Sequence, residues 1–246
     1  MLMIAAALEE ELETAKSLCM DCKKISADKA KLWRAVRNEK PFCFLRAGVG
    51  PKRAAERLKE ALELMRPSGV LVIGYAGALD PILKLGSLVA VRKATAFSLD
   101  EESPDWERVK VEGEFELQDW DDLAQSAEAA GLIVHTGDTL TSAHVLGEPE
   151  HKRFLYEKFH AAIVDMETAA LARVALSEGV PLRCIRAVSD EAQDTFLAPF
   201  SYNPSAGLPE RAAKLIGAGM METYREWKAR SSIARESLSR FLALHL

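Results

Sequence analysis

The sequence predicts an α/β protein of three layers, αβα, with helices on both faces of a mostly parallel or mixed central sheet. Three observations carry this expectation. Short apolar runs alternate with helical segments along nearly the whole chain, the pattern of strands joined by crossover helices. The 246 residues are 48% hydrophobic and 28% charged, so the chain can bury a core without disulfides or a structural metal. No repeat, linker or low-complexity stretch interrupts it. Residues 1–246 therefore read as one domain with a helical tail from about residue 207.

Each element has its own reason. Met1–Leu8 is a continuous apolar run and reads as a buried strand, with a helix over Glu9–Cys19 behind it. Leu32–Arg37 and Phe42–Ala47 read as strands around the turn Asn38–Pro41. Gly48-Val-Gly50 breaks the chain, and Pro51 is placed to open a helix. Over Pro51–Arg66 the apolar side chains at 54, 58, 61, 62 and 65 share one helical face. Val70–Tyr75 and Ser87–Phe97 read as strands, and the acidic stretch Leu99–Glu116 as an irregular surface excursion. Then follow a helix near Asp121–Ala130, a strand over Leu132–Thr136, a helix near Pro149–Phe159 and a strand over Ala161–Val164. An almost wholly apolar helix, Met166–Leu176, is ended by Gly179 and followed by the strand Leu182–Val188. Glu191–Ala206 shows no periodicity, and Pro209–Leu246 reads as a long helix.

Composition excludes several functions. A net charge of −5 with no basic stripe argues against nucleic acid as a partner. No apolar run approaches the length of a membrane span, and Met1–Leu8 runs into Glu9-Glu10-Glu11 rather than forming a leader. The expectation is a cytoplasmic protein. Cys19-Met-Asp-Cys22 has no second pair at zinc-ribbon spacing, so it and Cys43 and Cys184 read as reduced structural thiols. There is no G-x-S-x-G or H-E-x-x-H. His144, His151 and His160 are irregularly spaced and read as ordinary side chains, and Lys23, Lys24, Lys29 and Lys31 as solvated. Neither a metal nor a cofactor is expected.

In parallel sheets ligands sit beyond the carboxyl ends of the strands, and three acidic groups follow strand ends here. They are Glu9-Glu10-Glu11, the pair Asp165 and Glu167, and Ser189-Asp190. Any one alone reads as a helix cap or dipole partner. Three on one sheet edge point to acid–base chemistry, because burial and hydrogen bonds drive the pKa values of carboxylates apart. Glu167 opens a helix too apolar to have a solvated face, so its carboxylate should be partly buried. Its two oxygens suit a vicinal diol; an ion pair with Arg46 or Arg186 is the plainer alternative.

The order and separation of Ala7-Leu-Glu-Glu-Glu11, Gly74-Tyr-Ala-Gly77 with Lys84-Leu-Gly86, Val164-Asp-Met-Glu-Thr-Ala169 and Arg186-Ala-Val-Ser-Asp190 resemble the nucleoside phosphorylase superfamily. Within it they resemble the 5′-methylthioadenosine/S-adenosylhomocysteine nucleosidases, over roughly residues 1–200. The resemblance implies cleavage of the N-glycosidic bond of a purine nucleoside, adenine above all, with a modified 5′ group. It makes Asp190 the acid that protonates N7, oriented by Ser189, and Glu11 the group that activates water. Glu167 and Met166 would hold the ribose. Tyr75, Ala76 and Gly77 fall in the Gly-rich binding segment, Leu140 and Thr141 in the base-binding stretch, and Phe200 matches an aromatic covering the 5′ substituent. The small-molecule nucleoside is then the partner, and a homodimer or larger homo-oligomer is expected.

Three acidic residues after the first strand would repel phosphate, which favours water as the nucleophile, although Arg46, Arg53 or Arg92 offers a cation. A phosphate-dependent phosphorylase is the runner-up. Tyr75 stands where the family has Ser, Ala78 where it has a second Gly, and Leu140 where the nucleosidases have a stacking Phe. Residues Ala94–Glu102 lack the nucleosidases' His-Asp pattern. Tyr75 filling the sugar site would instead make a non-catalytic nucleoside-binding protein. Gly74–Pro81 and the amphipathic tail also resemble the hopanoid-associated branch, which removes adenine from adenosylhopane. In that version Ile233, Leu238, Phe241 and Leu242 would receive a lipid-like substrate, against the plainer reading of a helix packed on its own domain or on a partner.

Overall fold

A computed structural model describes residues 1–99, 109–129, 131–195 and 218–246, with the backbone alone at 99 and 218–224. The strands are β1 (Leu2–Ala6), β2 (Met20–Ile25), β3 (Lys31–Arg37), β4 (Lys40–Arg46), β5 (Gly69–Ala78), β6 (Leu88–Leu99), β7 (Val109–Glu116), β8 (Val134–Thr141), β9 (Ile163–Asp165) and β10 (Leu182–Asp190). The helices are α1 (Glu9–Lys16), α2 (Pro51–Met65), α3 (Trp120–Ala129), α4 (Pro149–Phe159), α5 (Thr168–Ser177) and α6 (Ala218–His245).

All ten strands form one sheet, ordered β10-β6-β8-β9-β5-β1-β4-β3-β2, with β7 on β6. Because β10 also pairs with β5, the strands β10, β6, β8, β9 and β5 close into a ring. The sheet is mixed. β1–β4, β1–β5, β5–β10, β6–β8 and β8–β9 are parallel, while β2–β3, β3–β4, β5–β9, β6–β7 and β6–β10 are antiparallel.

Strand periodicity builds the layers. Along β5, Val70 and Val72 join a core with Ala54, Leu58 and Leu62 of α2 and Leu171 and Ala175 of α5. Leu71 and Ile73 face the other way, onto Leu12 of α1, Leu123 of α3 and Leu238, Phe241 and Leu242 of α6. The C-terminal helix is thus part of the second layer. Leu238, Phe241 and Leu242 are buried there and not available to a lipid-like substrate, while Ile233 is 45% exposed. The expected tail residues before 218 lie outside the described residues.

Two readings are corrected. α1 stops at Lys16, short of the Cys19 expected, and the strand β2 follows where no strand was expected. β2 is a sheet edge, exposed along almost its whole length, and edge strands carry charges such as Lys23 and Lys24 that mask a strand pattern. The end of the acidic stretch is also a strand. Lys110, Glu112, Glu114 and Glu116 occupy the exposed face of β7, alternating with Val109, Gly113 and half-buried Phe115. Its acidity marks one face of a hairpin. Residues 100–108 lie outside the described residues.

Cys19, Cys22, Cys43 and Cys184 are free thiols. Burial pushes Cys43 up to about 12 and Cys184 up to about 11, so both stay protonated and unreactive. Among the described residues no helix is long and apolar enough to cross a membrane.

Phe241→Ala should cost about 3–5 kcal/mol by opening a cavity between α6 and the sheet. Urea unfolding of the variant checks this; an unchanged midpoint would show that α6 is not an integral layer.

Candidate active site

β1, β5 and β10 are parallel neighbours, so their carboxyl ends meet at one sheet edge. β9 runs against the end of β5, placing Val164 level with Gly77 and delivering Asp165–Glu167 to the same place. A cleft of about 160 Å³ opens there. Its wall includes Glu11, Tyr75, Ala76, Gly77, Met166, Glu167, Ser189 and Asp190. Eight residues expected at the site are therefore brought together.

Glu11 sits in the first turn of α1, where its carboxylate reaches back to the chain entering the helix. Its Oε2 accepts from Leu8 N–H at 2.8 Å and its Oε1 from Tyr75 N–H at 2.9 Å. Burial holds its pKa above the usual carboxylate range, opposed by those bonds and by Arg186. The neighbours diverge. Glu9 pairs with Lys16 and with Arg46, and Glu10 is half-buried near Arg235.

A β-bulge aims Asp190. The β5–β10 register shifts between Val188 and Asp190, placing Asp190 opposite Gly77, and bulges re-aim side chains in this way. A Cβ on Gly77 would lie 2.9 Å from Asp190 Oδ2, so only glycine leaves room for the carboxyl. Ser189 Oγ donates to Asp190 Oδ1 at 2.9 Å. Lys152 of α4, which is not part of the cleft wall, donates to Asp190 Oδ2.

Glu167 is 5% exposed and occupies the N-cap position of α5 without a side-chain capping bond. Its Oε1 accepts from Gly50 N–H at 2.9 Å, and its Oε2 is 3.7 Å from Arg186 Nη2. Burial pushes its pKa up to about 7, with Asp165 and Glu11 adding to the rise and Arg186 opposing it. The ion pair expected as the plainer alternative exists, at long range.

Asp165 has a structural task. Its oxygens accept from Thr139 Oγ1 at 3.1 Å, Thr141 Oγ1 at 3.0 Å, Glu167 N–H at 3.0 Å, Thr168 N–H at 2.9 Å and Thr168 Oγ1. Arg186 Nε lies 3.4 Å from Oδ2. Burial alone would lower the pKa of Arg186; Asp165, Glu167 and Glu11 reverse that and raise it.

The side chains of Leu140 and Thr141 are turned away from the cleft. Thr139 and Thr141 share a face of β8 and bond to Asp165, while Leu140 points oppositely into an apolar cluster with Leu79, Phe97 and Val164. Neither Leu140 nor Thr141 lines the cleft; His144, Val145 and Leu146, beyond the strand, do. Phe200 lies outside the described residues. Val49 and Trp227 of α6 also line the cleft and went unrecognised. So did Lys152, whose neighbours Glu150 and Arg153 make it look like part of a solvated helix face. The wall contains four carboxylates and, among the described residues, neither lysine nor arginine. Arg46 pairs with Glu9 and Arg92 with Asp138. Tyr75 lines the cleft while its ring packs against the α1–α6 layer. Among the described residues, no group of three or more His, Cys, Asp or Glu is placed to hold a metal.

A raised folded-state pKa makes stability fall as pH rises, because the folded chain then holds more protons than the unfolded one. For Glu167 the window runs from the unfolded value, 4.5, to about 7. Thermal melts from pH 5 to pH 8 should show the Tm difference, Glu167→Gln minus wild type, becoming more positive with pH. A constant difference would contradict the burial of a titrating carboxyl at this position.

The sequence and fold are similar to those of known proteins. The family described as the Phosphorylase superfamily matches residues 2–241. A 5′-methylthioadenosine/S-adenosylhomocysteine nucleosidase of Halalkalibacterium halodurans is 26% identical over 217 residues, 81% of this chain and 92% of that protein. Futalosine hydrolase of Helicobacter pylori superposes with a TM-score of 0.77 at 19% identity, covering 99% of this chain and 96% of that one. A Neisseria meningitidis 5′-methylthioadenosine/S-adenosylhomocysteine nucleosidase in complex with methylthio-immucillin-A superposes with a TM-score of 0.76 at 18% identity, with the same coverage.

Proposed function

The chain belongs to the phosphorylase superfamily, and from that premise we propose that it hydrolyses the N-glycosidic bond of an adenine nucleoside carrying a modified 5′ group. One observation carries the choice of water over phosphate. The cleft wall holds Glu11, Asp165, Glu167 and Asp190 without lysine or arginine among the described residues, so a phosphate dianion would find carboxylates and no lysine or arginine side chain on that wall. The runner-up phosphorylase needs a cation there. The nucleosidase relatives support the substrate class.

Breaking the bond leaves positive charge on the sugar and negative charge on the departing base, as in other glycoside cleavage. In this reading Asp190 protonates N7, so that the electron pair of the broken bond leaves on a neutral base. Ser189 and the Gly77 backbone hold the acid in place. Glu167 accepts from the ribose hydroxyls beside Met166. Glu11 lines the same cleft and takes a proton from the attacking water, its nearby charge favouring the cationic sugar. The scheme needs no metal or cofactor.

Adenine release from 5′-methylthioadenosine, S-adenosylhomocysteine and other 5′-substituted adenosines, beside release of the base from futalosine, tests the reading. Release should be independent of phosphate. Absolute dependence on phosphate, with ribose 1-phosphate formed, would make the protein a phosphorylase; binding without turnover would make it a binding protein. Asp190→Asn should lower kcat at least about 10²-fold with the fold intact, and near-normal turnover would remove Asp190 from the mechanism. Glu11→Gln should reduce kcat more than it raises KM; an unchanged kcat would exclude it as the base.

A further inference from the structure

Lys152 is an unusual lysine. It lies in the first turn of α4, where the helix dipole disfavours a cation, and it is 0% exposed. Each of its three N–H groups has an acceptor. They are Asp190 Oδ2, Glu191 O at 2.9 Å and Asp194 O at 3.2 Å. The acceptors belong to Asp190 and the turn that follows it. That turn is anchored independently: Glu191 N–H donates to Asp194 Oδ2 at 2.8 Å, and Arg230 Nη1 of α6 donates to the same oxygen at 2.5 Å. A lysine needed only to hold the turn would be redundant with these bonds.

The proposed reaction creates a demand that Asp190 alone does not meet. An isolated aspartic acid is ionised at neutral pH, whereas the departing base requires a proton. Lys152 and Asp190 form a contact pair. Written as ammonium and carboxylate, or as amine and carboxylic acid, it has the same atoms and the same net charge. Both partners are buried. The oxygen involved is suitably placed. Oδ2 bonds to Lys152 and is also the oxygen nearest the position a Gly77 Cβ would occupy, 2.9 Å against 3.4 Å for Oδ1.

We propose that Lys152 supplies the leaving-group proton through Asp190. This rests on the hydrolytic reading above. As the C1′–N9 bond breaks and its electron pair goes to the base, one N–H bond of Lys152 breaks and an Oδ2–H bond forms. The hydrogen of Asp190 passes to N7, leaving Asp190 a carboxylate and Lys152 a neutral amine. Water adds to C1′ and its proton goes to Glu11. After product release Glu11 returns a proton to solvent and Lys152 regains one. Lys152 does not touch substrate; it is a positioning residue that acts through Asp190.

The test compares two substrates on the full-length protein. One is 5′-methylthioadenosine; the other is the corresponding riboside of p-nitrophenol, whose anion departs without a proton. In Lys152→Met, kcat on 5′-methylthioadenosine should fall by about 10²-fold or more, while turnover of the nitrophenyl riboside stays within about threefold of wild type. Equal losses on both substrates would reduce Lys152 to a structural residue and overturn the proposal, as would an undiminished rate on 5′-methylthioadenosine. If Lys152→Met does not fold, Lys152→Arg keeps the positive charge and donors but cannot release a proton, and the same selective loss is expected. Loss of both activities in folded Lys152→Arg would again overturn the proposal. A wild-type protein that cleaves neither substrate would instead refute the hydrolytic reading, so the two failures are distinct.

Discussion

The site depends on one buried ion pair, Arg186 with Asp165, and the hydrogen bonds that complete it. Arg186 rises from β10, Asp165 ends β9, and Thr168 opens α5 between them, donating to Asp165 while accepting from Arg186 Nη2 at 2.7 Å. Thr139 and Thr141 of β8 complete the shell. Such an arrangement is tolerable inside a protein only when nearly every lone pair and N–H is used. Removing Asp165 would leave a buried guanidinium facing only the more distant carboxylates of Glu167 and Glu11 among the described residues. The network welds together β8, β9, β10 and α5, the elements that set Glu167 and Asp190 at the cleft.

That constraint explains why carboxylates gather around an arginine that never reaches the cleft wall. Arg186 offsets part of the cost of burying Glu11 and Glu167, yet burial wins for both, and their pKa values stay raised. A raised carboxylate is responsive: a substrate hydroxyl or a proton from water changes its state at modest cost. The cleft keeps its negative charge facing inward and its positive charge behind the wall, which suits a cationic sugar.

Legibility in the sequence followed burial. Strands with both faces covered, such as β1, β5 and β10, stand out as apolar runs, and the amphipathic α2 declares its buried face. The edge strand β2 and the outer hairpin strand β7 are not legible in the sequence because one or both of their faces meet water, so charge interrupts the apolar signal. The acidic residues after β1, β9 and β10 were recognisable as a set because all three follow strand ends. The side-chain directions of Leu140 and Thr141 were not legible: the strand turns its threonines toward Asp165 and its leucine into an apolar cluster.

The sequence by itself determined the αβα class, the strand ends that carry Glu11, Glu167, Ser189 and Asp190, and the resemblance to the superfamily. These are local facts, encoded in apolar periodicity and in short runs of residue types. Only the tertiary structure decided which neighbours each carboxylate meets. It closed five strands into a ring, packed the tail helix into the second layer and brought Lys152 behind Asp190, 38 positions away along the chain. Such contacts join residues remote in sequence. A lysine flanked by charged residues carries no mark of burial until the chain folds over it.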